Sequence, residues 1–204
     1  MTEPDRKAED VERTEALVRR AREEGTDSFG ELYGRVAPAL FTWASLRVKP
    51  ALRSRLDPED LVQETCVRAY RGFDGYDPER GNFRAWLFGI ANHVLQRALL
   101  NLSKGPGDAR HALADEVTSF IQQIPDEATR ASRLAARSDS LEVFIEAAGS
   151  LGEEERKLLL YRGLEGLPHH EVAEIMGIET ETAKKRWQRL RGRLQEMKAP
   201  DELL

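Results

Sequence analysis

Apolar residues along this chain recur at spacings of three and four, and few runs are rich in β-branched residues. That pattern predicts helices and almost no strand. Asp27-Ser28 can cap a helix carrying Phe29, Leu32, Tyr33, Val36, Leu40 and Phe41, with Pro38 placed to kink it. Lys49-Pro50 breaks the chain, and Asp57-Pro58-Glu59-Asp60 starts the next helix. Asp57 reads as its N-cap, Pro58 as its first residue, and the two acids meet the positive helix end. At about 100° per residue, Leu61, Val62, Thr65, Ala69 and Phe73 share one face, and Asp60, Gln63, Glu64, Val67 and Arg71 share the opposite one. A solvated face and a docking surface look alike at this level. The helix should end near Gly72, before a loop, Phe73-Asp74-Gly75-Tyr76-Asp77-Pro78, that mixes aromatics with turn formers. Asn82 then caps a helix with Phe83, Trp86, Leu87, Ile90 and Val94 on its core side, and Arg84, Asn92, Gln96 and Arg97 on the other.

Ser103-Lys104-Gly105-Pro106-Gly107-Asp108 is the clearest interruption, and Pro125-Asp126 interrupts again. A linker over residues 103–136 is expected, acidic in part, with room for a short helix at Ala112 to Gln123. It joins two helical domains, residues 10–102 and 137–198, in an all-α chain. The second domain opens with Leu141, Phe144, Ile145 and Ala148, then Leu158, Leu159 and Tyr161 after breaks at Gly149 and Gly152. Leu167-Pro168 opens a short helix with Val172, Ala173, Ile175 and Met176; Gly177 stops it, and another helix runs from about Thr180 to Met197. This is a helix-turn-helix pattern: Ala173 permits close approach, Gly177 supplies the turn and Ile178 plugs the gap.

Composition changes the picture in three places. The longest apolar runs, such as Leu158-Leu159-Leu160-Tyr161, are too short to cross a bilayer, and Met1 to Asp10 is charged rather than signal-like, so a cytoplasmic protein without membrane insertion is expected. Cys66 is the only cysteine, which leaves no internal disulfide or thiolate zinc cage. A net charge of −5 argues against indiscriminate coating of nucleic acid, yet Lys184, Lys185, Arg186, Arg189, Arg191 and Arg193 concentrate cations in the last helix.

In that helix Ala183, Trp187, Leu190 and Leu194 form one face, and Glu181, Thr182, Lys185, Gln188 and Arg189 the other. A helix fits the DNA major groove, where Arg or Lys donates to guanine, Gln pairs with adenine and flanking cations bind phosphate. Glu181, Thr182, Lys184, Lys185, Arg186, Gln188 and Arg189 are therefore the candidate duplex contacts. Trp187 reads as core, because its face is otherwise Ala and Leu. His169-His170-Glu171 lacks a partner histidine one turn on, so neither a metal nor another cofactor is expected. No catalytic constellation is visible, and a binding factor rather than an enzyme is expected.

Taken together, the chain resembles a bacterial RNA polymerase sigma factor of the extracytoplasmic-function type. The residues that carry the resemblance are Asp57-Pro58-Glu59-Asp60-Leu61-Val62-Gln63-Glu64, Phe83 to Ile90 with Trp86-Leu87, and Leu151 to Leu194, in the family's order. The resemblance implies that Asp60, Gln63, Glu64 and Val67 bind core polymerase at the clamp coiled coil of β′, with the β subunit also a partner. It implies that the two domains read two promoter elements, the upstream one as duplex and the downstream one as melted single strand. Extruding a base costs a few kcal/mol, which stacking and edge hydrogen bonds can offset; Arg80, Asn82, Arg84, Asn92 and His93 are the candidates there. The family is often restrained by an anti-sigma partner. The chain departs from the family pattern with His93 in place of an asparagine, Arg97 and Leu100 in place of an aspartate and an arginine, Glu179 in place of a serine cap and Trp187 in place of a leucine. Two other classes fit parts of the pattern: an operator-binding regulator whose N-terminal helices dimerise or sense a signal, and a helical scaffold that binds only protein.

Overall fold

The computed structural model describes residues 3–24, 26–103, 126–197 and 199–200. Helices α1 (Glu3–Glu24), α2 (Thr26–Arg47), α3 (Pro58–Gly72) and α4 (Phe83–Ser103) build the first domain. Helix α2 is its axis. Phe29, Leu32, Tyr33, Val36, Ala37, Ala39, Leu40, Trp43 and Ala44 are all buried along it, the all-round apolar pattern of a helix enclosed by neighbours, and α1, α3 and α4 pack around it. Pro38 lies inside α2, and the Thr42 hydroxyl donates to the Pro38 carbonyl at 2.9 Å. The expected short linker helix at 112–123 lies outside the described residues.

Within the stretch expected as linker, Asp126–Ala136 forms a helix, α5, that packs against α2 and α3. Its buried residues Ala128, Ser132 and Ala135 are small, and the Ala131 methyl lies 3.5 Å from where a Cβ at Gly34 of α2 would sit. Small side chains let the backbones approach, which is how a segment of such polar composition becomes part of a core.

The second domain follows as α6 (Asp139–Gly149), α7 (Glu153–Leu158) continuing into a π-turn (Leu159–Leu164), α8 (His169–Met176) and α9 (Thr180–Glu196). Gly177 ends α8 at φ 65 and ψ 37, a left-handed conformation that glycine adopts without Cβ strain. Val172 and Ala173 of α8 and Ala183, Trp187, Leu190 and Leu194 of α9 face inward; Ile175 points out. Gly163 packs closely: a Cβ there would lie 3.0 Å from the Trp187 ring and 3.1 Å from the Leu159 Cδ1, so a larger residue would push on both by a few tenths of an ångström.

Cys66 is buried between α2 and α3, and burial pushes its thiol up to about 12. The thiolate is the reactive species, so native protein at pH 8 should alkylate more than roughly tenfold slower than the denatured chain. Equal rates with and without denaturant would place Cys66 at the surface.

Candidate nucleic-acid and partner interfaces

Helix α9 presents the basic face. It starts at Thr180 after Glu179, whose side chain makes no capping bond. Lys184, Lys185, Gln188 and Arg189 are exposed, with Thr182 and Arg186 half-buried. Neighbouring acids engage part of this set: Lys184 Nζ lies 2.6 Å from Glu181 Oε1, and Arg186 Nη1 lies 3.4 Å from Glu154 Oε2 on α7. The Lys184 hydrogen bond and charge hold the Glu181 carboxyl below its usual range. Arg193 pairs with Glu155, tying the far end of α9 to α7. Lys185, Gln188 and Arg189 line one shallow open concavity, a donor-rich strip one turn long.

Helix α3 begins as the sequence predicts: the Asp57 carboxylate accepts from the Glu59 N–H at 2.8 Å. The outward face is a partial correction. Asp60 is exposed and Gln63 half-buried, but Glu64 and Val67 are each 1% exposed. Arg68 Nε donates to Glu64 Oε1 at 2.5 Å, while Glu64 Oε2 has no hydrogen-bond partner among the described residues. The difference comes from neighbours. Periodicity assigns a face, but α4 and α5 both lie against α3, and the docking of α5 is not encoded in the spacing of α3.

The loop before α4 is built on rings. Phe73, Tyr76, Phe83 and Trp86 contact one another at centroid distances from 5.2 to 6.4 Å, so Phe73 and Tyr76 are core residues. Burial raises the Tyr76 phenol above its usual range, its hydroxyl donates to the Gly81 carbonyl at 2.9 Å, and Arg22 of α1 donates to the Tyr76 carbonyl. Asn82 caps α4, accepting from the Ala85 N–H at 2.8 Å. Arg80 and His93 are exposed. Two further candidates are engaged: Arg84 Nε donates to the Leu164 carbonyl at 2.6 Å and Arg84 Nη2 to the Gly163 carbonyl at 3.1 Å, and Asn92 Oδ1 accepts from Arg47 Nη2 at 2.7 Å.

Sequence reasoning missed Trp43 and Glu165. The Trp43 indole donates to Glu165 Oε1 at 2.7 Å, Arg47 lies 5.4 Å over the same ring, and Glu165 is 6% exposed. Burial raises the Glu165 carboxyl, against the lowering pull of Trp43, Arg47 and Asn92. Two residues 122 positions apart leave no local signal.

Among the described residues no helix is long and apolar enough to cross a membrane. Family models match in two places, sigma-70 region 2 over residues 32–104 and sigma-70 region 4 over residues 141–194. The ECF RNA polymerase sigma factor SigG of Mycobacterium tuberculosis is 28% identical over 153 residues, covering 68% of this chain and 41% of SigG. SigE of Mycolicibacterium smegmatis is 28% identical, covering 69% of this chain and 51% of SigE, so the chain spans about half or less of the length of these relatives. The RNA polymerase sigma factor CnrH of Cupriavidus metallidurans is 29% identical over 82% of this chain and 84% of CnrH. A solved structure of CnrH with the cytosolic domain of CnrY aligns at 22% identity and TM-score 0.40, covering 91% of this chain and 97% of that one. Two matched regions in sequence order, with relatives of one type, give the conclusion: the chain belongs to the sigma-70 family, as a member of the ECF type.

Proposed function

We propose that this chain is a promoter-specificity subunit of bacterial RNA polymerase, which binds core enzyme, directs it to a two-part promoter and assists melting of the downstream part. The observation that carries the reading is the order of the two matched regions on one chain, region 2 first and region 4 last. In this reading α9 enters the major groove of the upstream element. Lys185, Gln188 and Arg189 meet base edges and phosphates, and Glu181, Thr182, Lys184 and Arg186 flank them. Arg80, Asn82, Arg84, Asn92 and His93 surround the place where the downstream single strand is read. Asn82 acts there chiefly by fixing the start of α4.

On α3, Asp60 and Gln63 are the accessible part of the polymerase-binding face for the β′ clamp coiled coil. Glu64 and Val67, each 1% exposed, lie beneath this face, and Glu64 is paired there with Arg68. Asp60→Ala combined with Gln63→Ala should weaken binding to a clamp fragment by about tenfold, if each lost polar contact contributes roughly 0.5–1.5 kcal/mol. Thermal melting should not change, and unaltered affinity in a pull-down would remove this face from the reading.

Run-off transcription by purified core enzyme with this protein tests the function as a whole. A promoter-dependent transcript that requires the protein is expected. Silence in that assay, with an unaided footprint on palindromic DNA, would favour an operator-binding regulator.

A further inference from the structure

The loop between α3 and α4 is fixed at both ends through one residue, Tyr76. Within the loop the Asp77 carboxylate accepts from the Glu79 N–H at 3.0 Å, and the Arg80 N–H donates to the Asp77 carbonyl at 3.1 Å. That turn leaves the Arg80 side chain exposed. Tyr76, 3% exposed, donates its hydroxyl to the Gly81 carbonyl, one residue before the Asn82 cap of α4. Arg22 of α1 reaches Tyr76 in two ways: its guanidinium donates to the Tyr76 carbonyl and lies 5.7 Å from the ring centroid. Leu17, Val18 and Ala21 are buried and α1 packs on α2 and α4, so Arg22 projects from an anchored helix.

We propose that Arg22 is a positioning residue for single-strand recognition: through Tyr76 it sets the path of residues 77–82, and with it the placement of Arg80 and the start of α4. This rests on the reading of Arg80 and Asn82 as contacts to the downstream strand. Arg22 itself lies outside both matched regions, which begin at residue 32, so the brace is an addition by α1. The ring cluster of Phe73, Tyr76, Phe83 and Trp86 roots the loop, but apolar burial is non-directional. Direction comes from the polar bonds at Tyr76, whose geometry is narrow. Arginine suits the task, because its planar fork can donate to a carbonyl while its charge faces a ring. A loop already held in its bound path meets a strand without a further ordering cost.

Limited trypsin digestion of the full chain reads the loop directly, since Arg80 is exposed within it and fragment masses identify cleavage there. Arg22→Ala should speed cleavage after Arg80 by about tenfold, and Arg22→Lys, which keeps a cation and a donor, by much less. Holoenzyme reconstituted with each variant is then titrated with a randomised single-stranded oligodeoxynucleotide pool. Arg22→Ala should lose about fivefold in affinity, Tyr76→Phe, which keeps the ring and loses the bond to Gly81, a similar amount, and the double variant less than the product. Arg19→Ala removes the same charge from α1, at another exposed position, and should bind as wild type does. Unchanged Arg80 cleavage in Arg22→Ala overturns the proposal, as does an equal affinity loss in Arg19→Ala, which would make the effect one of charge alone. Run-off transcription with the wild-type chain separates the two readings. A promoter-dependent transcript with unchanged pool affinity in Arg22→Ala keeps the sigma reading and removes the positioning role. No wild-type transcript and no pool binding removes the sigma reading and the proposal with it, and faster Arg80 cleavage would then mark Arg22 as a brace of the loop only.

Discussion

Phe83→Ala should lower the stability of the first domain by about 3–5 kcal/mol, the cost of deleting a buried aromatic ring and leaving its cavity. Phe83 is 1% exposed, and its ring touches Phe73 at 6.1 Å, Tyr76 at 5.8 Å and Trp86 at 5.5 Å. Each such ring pair adds roughly 0.5–1.5 kcal/mol beyond area burial. Against a total of about 5–15 kcal/mol for an ordinary domain, that loss is a large share. Guanidinium unfolding followed by tryptophan fluorescence measures it, since Trp86 lies in the cluster. Phe83→Leu keeps most of the volume and should cost less, about 1.5 kcal/mol. A midpoint for Phe83→Ala equal to wild type would mean that the ring cluster is not a stability element. The loop that displays Arg80 and Asn82 hangs from these rings, so single-strand binding should fall with stability and recover partly in the leucine variant.

What could be read in the sequence was local. The Asp57 cap of α3, the Asn82 cap of α4 and the Gly177 turn between α8 and α9 each depend on residues within one turn, and each sits where the spacing puts it. Trp187 was legible as core because its own face is Ala and Leu. What was hidden depends on chain segments that meet from far away. Val67 and Glu64 read as outward until α5, some sixty residues later, packs beside α3, and α5 itself carries Ala and Ser where a strong apolar stripe would have announced a helix in the core. Spacing put Phe73 on the apolar face of α3, but nothing local marked Tyr76 in the loop as core, where Phe83 and Trp86 close over it. Trp43 and Glu165 sit at opposite ends of the fold-forming sequence, and neither shows a periodicity that points to the other. The chemistry of each site was therefore visible before its accessibility was.

That distinction sets the second large effect, on α9, where exposure and chemistry agree. Lys185→Ala with Arg189→Ala should reduce affinity for upstream-element duplex by about a hundredfold, from roughly 1–3 kcal/mol at each position. Both side chains are exposed, and surface substitutions away from caps and cores change stability by about 0.5 kcal/mol or less, so the melting temperature should hold. Salt dependence sorts the two roles. A lost phosphate contact lowers the slope of log affinity against log salt by about 0.9 and weakens all sequences alike, whereas a lost base contact leaves the slope and flattens the preference at one base pair. Trp187→Ala is the contrasting case: it also loses DNA, but by unfolding, because the ring is 6% exposed and packed against Gly163. If the double variant binds duplex as the wild type does while Trp187→Ala unfolds, α9 is a structural helix and its cations are solvated. A hundredfold loss with an unchanged melt assigns the strip of Lys185, Gln188 and Arg189 to DNA.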